Sequence, residues 1–308
     1  MGIKIHDIAY VRFSAPDLEA MEAFLTEFGM VRAERTSNVL YMRGLDENPY
    51  LHVTHRGDPG FLAAGFATTS MKDLETLARE ENVSIDQLEG PGGGSVVRLT
   101  DPNGFQIEVV VRRTRVPRIA LAAPVPANDA YRTPRLNALK RLTRGPSHVK
   151  RLGHCVLNVK DFRESEAWYK SRFGLMTSDE ITLGSQDQAL GAFLRCDRGN
   201  MPSDHHTLFL LGTGTPAFNH AAYEVTDVDD LMCGHDWLKE NGHRHEWGVG
   251  RHLLGSQIFD YWRDPWGHTL EHWTDGDLLD AAWGSRTATL QDALRTQWGP
   301  PPPSTMGA

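Results

Sequence analysis

Long apolar runs are missing from this chain. No window approaches the roughly 18 apolar residues that a membrane-spanning helix needs, and the opening stretch MGIKIHDIAYVRF has no basic region followed by an apolar one. Neither membrane insertion nor export is expected, and a soluble, cytoplasmic protein is. Cysteine is scarce too. Cys155, Cys196 and Cys233 are odd in number and form no CxxC pair, which argues against a disulfide framework and fits a reducing compartment, with the thiols as small core residues. Positive charge is not in excess: the formal net charge is -8, which disfavours nucleic acid and anionic membranes as partners. Signatures of other chemistries fail as well. GPGGGS (90–95) is not followed by Lys-Ser/Thr or a helix start and reads as a hairpin turn. Asp204 precedes two histidines, yet no nucleophile elbow occurs.

What is present suffices for a large core. With 40% apolar and 23% charged residues over 308 positions, the chain exceeds what one compact core organises and points to two domains. A repeat supports this. DPNGFQIEVV (101–110) is echoed by DPWGHTLEHW (264–273), IAYVRFSAPDLEAMEAFLTEFGM (8–30) by LGHCVLNVKDFRESEAWYKSRFGLM (152–176), and LAAGFATTSMKDLETL (62–77) by FNHAAYEVTDVDDLMC (218–233). Each half reads as strand and helix, a few strands, strand and helix again, then a DPxG turn and a last strand. Leu18, Met21, Leu25 and Phe28 recur at helical spacing before Gly29, as do Leu231, Trp237 and Leu238 before Gly242.

The expected layout is an amino-terminal domain over 1–113, a linker over 114–149, a carboxy-terminal domain over 150–276 and a helix with a flexible tail over 277–308. The Pro-, Ala- and Arg-rich linker offers one short helix at Leu136–Leu142, and the terminal stretch a helix broken at Gly284.

Aligning the halves sets Tyr10 opposite His154, Ala63 opposite His220, and Glu108 opposite Glu271. Two imidazoles and one carboxylate from three strands can cap one face of a divalent metal and leave about three positions open. Glu108, without such company, reads as a relic that keeps its strand. Strand alternation puts His154, Val156 and Asn158 on one side, and Glu271 with Thr269 and Trp273, while His268 and His272 point away. With 14 histidines in the chain, any single one is more often a surface or core residue. Three ligand-type residues together at matched repeat positions outweigh that.

Outside linker and tail, the motifs GHCVLNV, DHHTLFLL, FNHAAYEV and GRHLLGSQIFDYWRDPWGHTLEHW resemble the type I extradiol ring-cleavage dioxygenases of the vicinal oxygen chelate superfamily. The resemblance implies an α+β fold of two domains, each built of two βαβββ modules, with metal only in the carboxy-terminal domain. It implies His154, His220 and Glu271 as Fe(II) ligands, with Mn(II) a possible substitute, and His206 as the acid–base residue. It also implies His252 and Tyr261 as hydrogen-bonding partners of the bound diol, and an aromatic diol and O2 as substrates of a homo-oligomer. His205 should face away from His206. Leu254 departs from a polar Asn found in some members, which weakens any substrate borrowed from them. Two rival readings share the fold: a glyoxalase-like lyase or isomerase, whose ligands would come from both halves, and a metal-free binding protein.

Overall fold

The computed structural model describes residues 2–122, 125–184 and 188–304. The first half runs β1 (Asp7–Ala15), α1 (Leu18–Glu27), β2 (Val31–Arg35), β3 (Val39–Arg43), β4 (His52–Arg56), then β5 (Gly60–Ala67), α2 (Met71–Glu81), β6 (Asp86–Gln87), β7 (Ser95–Thr100) and β8 (Gln106–Val111). These strands form one sheet in the order β2-β3-β4-β1-β5-β8-β7-β6. The second half runs β9 (Val149–Val159), α3 (Phe162–Phe173), β10 (Met176–Thr182), β11 (Ala189–Arg195), β12 (Ser203–Asp204) and β13 (Leu208–Gly212). It continues with β14 (Ala217–Val225), α4 (Val228–Glu240), β15 (Arg244–His252), β16 (Ile258–Arg263) and β17 (Thr269–Thr274). The fold is α+β, with the strand–helix–strands module used four times.

Local chemistry explains where the helices begin. The Asp17 carboxylate accepts from the amides of Glu19 and Ala20, and Asp161 and Asp227 cap α3 and α4 in the same way. The DPxG turns are built by aspartate too: Asp101 accepts from the amides of Asn103 and Phe105, and Asp264 from those of Trp266 and His268. GPGGGS joins β6 to β7 in an antiparallel hairpin, as the sequence indicates.

One continuous core joins the halves through the outer faces of the sheets. His272, pointing away from Glu271, donates from Nε2 to the Phe28 carbonyl at 2.7 Å and stacks on the Phe28 ring at 3.7 Å. His52 bonds the Tyr223 hydroxyl at 2.8 Å. Cys155 and Cys196 are buried free thiols; Cys233 is half-buried rather than core.

Two expectations are corrected. No helix forms at Leu136–Leu142: Leu136 is 83% and Leu139 73% exposed, so a helix there would have no face to bury. The segment 277–298 is not a broken helix. It forms β18 (Leu278–Leu279), a 3-10 turn (Ala281–Trp283), β19 (Arg286–Thr289), α5 (Leu290–Leu294) and β20 (Thr296–Trp298). The ten-stranded sheet has the order β19-β10-β11-β13-β9-β14-β17-β16-β15-β20, so two consecutive strands of the terminal segment occupy its two opposite edges. Residues 305–308 of the expected tail lie outside the described residues. Among the described residues no helix is long and apolar enough to cross a membrane.

Candidate active site

The central strands bring His154, His220 and Glu271 together on the inner face of the larger sheet. In register, His154 pairs with Ala222, which pairs with Glu271; His220 pairs with Val156 and Thr269. His154 Nε2 and His220 Nε2 each lie 3.3 Å from the same oxygen, Glu271 Oε2. Glu271 is fully buried, and neither carboxylate oxygen has a hydrogen-bond partner. A buried carboxylate left without donors costs several kcal/mol. A cation between these three atoms removes that cost, since ligand–ligand separations near 3.3 Å suit metal–ligand bonds of about 2.1 Å.

The second group of this composition makes the contrast. His235, His245 and Asp260 also converge, but there Asp260 is hydrogen-bonded by His235 at 3.1 Å, by His245 at 2.8 Å and by Trp262 Nε1 at 2.6 Å. That carboxylate is satisfied by protein donors, and Glu271 is not.

Neighbouring polar groups orient the imidazoles. Asn219 Oδ1 accepts from His220 Nδ1 at 2.7 Å and the Asn219 amide donates to Asn158 at 3.1 Å, so the lone pair of His220 sits on Nε2, facing Glu271. His206 lies against His154, ring centroids 4.0 Å apart. Its Nδ1 is 3.1 Å from His205 Nδ1, and His205 Nε2 is 2.7 Å from Asp179 Oδ2. Ionised, Asp179 only accepts, so His205 Nε2 carries the proton, its Nδ1 accepts from His206, and His206 keeps a lone pair on Nε2. Burial, with the nearby histidines, pushes His206 well below its ordinary value and keeps it neutral. His205 is not a cavity residue, yet it is the link between Asp179 and His206. Sequence reading missed Asp179 and Asn219 because their partners lie on other strands or in a local side-chain turn that spacing does not encode.

His252 and Tyr261 complete the polar side, Nε2 to hydroxyl at 3.0 Å. Burial lowers His252 to about 4. Burial and then the Glu271 charge push the Tyr261 phenol up. All six predicted site residues except Glu271 face one cavity; Glu271 is buried against His154 and His220 and does not line it.

Among the described residues the first half carries no such site. At the matching register Tyr10 pairs with Gly65 and Gly65 with Glu108. Glu108 accepts from the Tyr10 hydroxyl at 2.6 Å, Arg12 Nε at 2.8 Å and Arg98 Nε at 3.1 Å. It is more than a relic: it is the anion of a buried polar cluster.

Residues 151–272 match the Glyoxalase/Bleomycin resistance protein/Dioxygenase superfamily. The carboxy-terminal half is a domain of this superfamily. Over its length the chain is 29% identical to Metapyrocatechase 2 of Cupriavidus necator, covering 97% of this chain and 90% of that one. It is 24% identical to an iron-dependent extradiol dioxygenase of Rhodococcus jostii (strain RHA1), covering 93% and 95%. The fold is shared with the Mn(II)-bound glyoxalase from Novosphingobium aromaticivorans at a TM-score of 0.81 and 22% identity, covering 99% and 95%. With relatives named as a metapyrocatechase and an iron-dependent extradiol dioxygenase over nearly its whole length, the chain is an oxygenase enzyme.

Proposed function

We propose that the protein cleaves an aromatic diol beside its hydroxyl groups, in the extradiol manner, with Fe(II) at His154, His220 and Glu271 and O2 as co-substrate. Both oxygen atoms enter a ring-opened product of the 2-hydroxymuconic semialdehyde type. The observation that carries this reading is the donor-free carboxylate of Glu271 facing two imidazole nitrogens at 3.3 Å. Three protein ligands leave positions for a chelating diol and O2, and Mn(II) fits the same donors.

A ferrous ion bound there supplies transfer of electron density from the diol to O2. The protein's own groups handle protons and position. Tyr261 and His252, paired at 3.0 Å, offer hydrogen bonds to the diol oxygens. His206, neutral with a free Nε2, accepts a diol proton and returns it during ring opening, steadied by His205 and Asp179. The arrangement disfavours a glyoxalase-like isomerase that draws ligands from both halves, because Glu108 is already engaged by Arg12 and Arg98. The test is to load the protein with Fe(II) without air, add a catechol and O2, and follow O2 uptake with the yellow ring-opened product. Zinc or nickel supporting isomerisation of a thiol adduct, with no O2 uptake, would favour the rival instead.

A further inference from the structure

The cavity above the triad has a polar floor and an apolar remainder. Val156, Phe193, Phe209, Leu211 and Leu254 line it from the strands and one loop, with Trp247 beside Tyr261 and His252. Asn219 and Gln257 are its other polar residues, both neutral, and among the described lining residues there is no lysine or arginine. The nearby Arg251 is committed elsewhere, donating to the Ser256 carbonyl at 2.6 Å and the Asp275 carboxylate at 2.6 Å.

The last wall comes from the terminal segment. β19 pairs in parallel with β10, and β20 antiparallel with β15, so α5 crosses between the two edges of the curled sheet. A capping box of Thr289 and Asp292 starts α5. Leu290, Ala293 and Leu294, at spacing i, i+3, i+4, share one face; Leu290 and Ala293 pack on the Phe193–Phe209 cluster, and Ala293 and Leu294 line the cavity. The segment is anchored at both ends. Buried Arg195 donates to the carbonyls of Asp280 and Gly284 at 3.3 and 2.9 Å, while Leu253 N donates to Arg295 O at 3.0 Å and Trp247 Nε1 to Pro300 O at 3.1 Å.

We propose that residues 286–298 form the specificity wall of the site, and that the site takes catechols carrying an uncharged, apolar ring substituent and rejects those carrying a carboxylate. The inference rests on the extradiol reading for the catechol itself. Its physical basis is that a carboxylate moved from water into this cavity meets no compensating cation, whereas a methyl, alkyl or aryl group gains by leaving water.

The experiment is an anaerobic binding titration of the Fe(II)-loaded full chain, read by tryptophan fluorescence or calorimetry. The probes are 3-methylcatechol, 3-phenylcatechol and 3,4-dihydroxyphenylacetate. The carboxylate should bind at least about 100-fold more weakly than 3-methylcatechol. Leu294→Arg should narrow that gap by about tenfold or more, and Leu294→Ala should favour 3-phenylcatechol over 3-methylcatechol relative to the unaltered protein. Equal binding of the carboxylate and the methyl compound by the unaltered protein would overturn the inference, as would an unchanged preference in both folded variants. Selective binding of neutral catechols with no O2 uptake on admitting air would leave the wall standing and remove the extradiol reading instead.

Discussion

Tyr10 and His154 stand at the same register in the two sheets. Tyr10 pairs with Gly65 and Gly65 with Glu108, just as His154 pairs with Ala222 and Ala222 with Glu271. Where one glutamate faces open imidazole nitrogens, the other is closed by a phenol and two guanidinium groups. Gly65 is needed for this closure, since a Cβ there would lie 2.6 Å from the Tyr10 ring.

Glu108→Gln separates the two roles. Removing the charge leaves Arg12 half-buried without its anion, and breaking such a pair costs about 3 kcal/mol. The melting temperature should fall by several degrees, while Fe(II) per folded chain and turnover per bound iron stay unchanged. A loss of iron binding would place Glu108 in the metal site after all.

His206→Asn should retain Fe(II) and bind catechol but slow turnover by about 10²- to 10³-fold, the usual scale of a lost acid–base group. Asp179→Asn should give a smaller loss with an altered pH profile, because His205 no longer has a fixed tautomer. Unchanged rate and profile in both variants would remove this chain from proton transfer.

Tyr261→Phe should weaken binding of the diol and slow turnover while leaving iron stoichiometry intact, since the phenol touches His252 and faces the cavity without being a ligand. Metal loss in this variant would contradict the assignment.

His52 makes stability depend on pH. Its burial between the halves depresses its pKa from 6.5 to about 3, so its stabilising contribution is present above about 6.5 and is lost as pH falls toward 3. Between pH 7 and pH 5 this one group should cost the fold about 2 kcal/mol. Urea unfolding at the two pH values, compared with His52→Gln, checks it: the variant should show a smaller acid-induced loss, and an equal loss would refute the role.

The triad is legible in the aligned segments alone, because a strand register shared by two modules ties residue positions to space. Helix starts at Asp17 and Asp161 are equally visible, since capping is local. The terminal segment is not. β19 and β20 are four and three residues long, too short for alternation to show, and they exist because the sheet edges receive them. Leu136, Leu139 and Leu142 mislead in the opposite way, with helical spacing and nothing to pack against. Asp179 and Asn219 act through hydrogen bonds to other side chains, which no spacing announces.

The most direct test is iron content and O2 stoichiometry together. Protein loaded with Fe(II) without air should hold one ion per chain, consume one O2 per catechol and form a yellow ring-opened product. His154→Ala, His220→Ala and Glu271→Ala should each be folded, free of iron and inactive. Full iron binding in any of these variants, or a loaded protein that binds catechols and consumes no O2, would contradict the account.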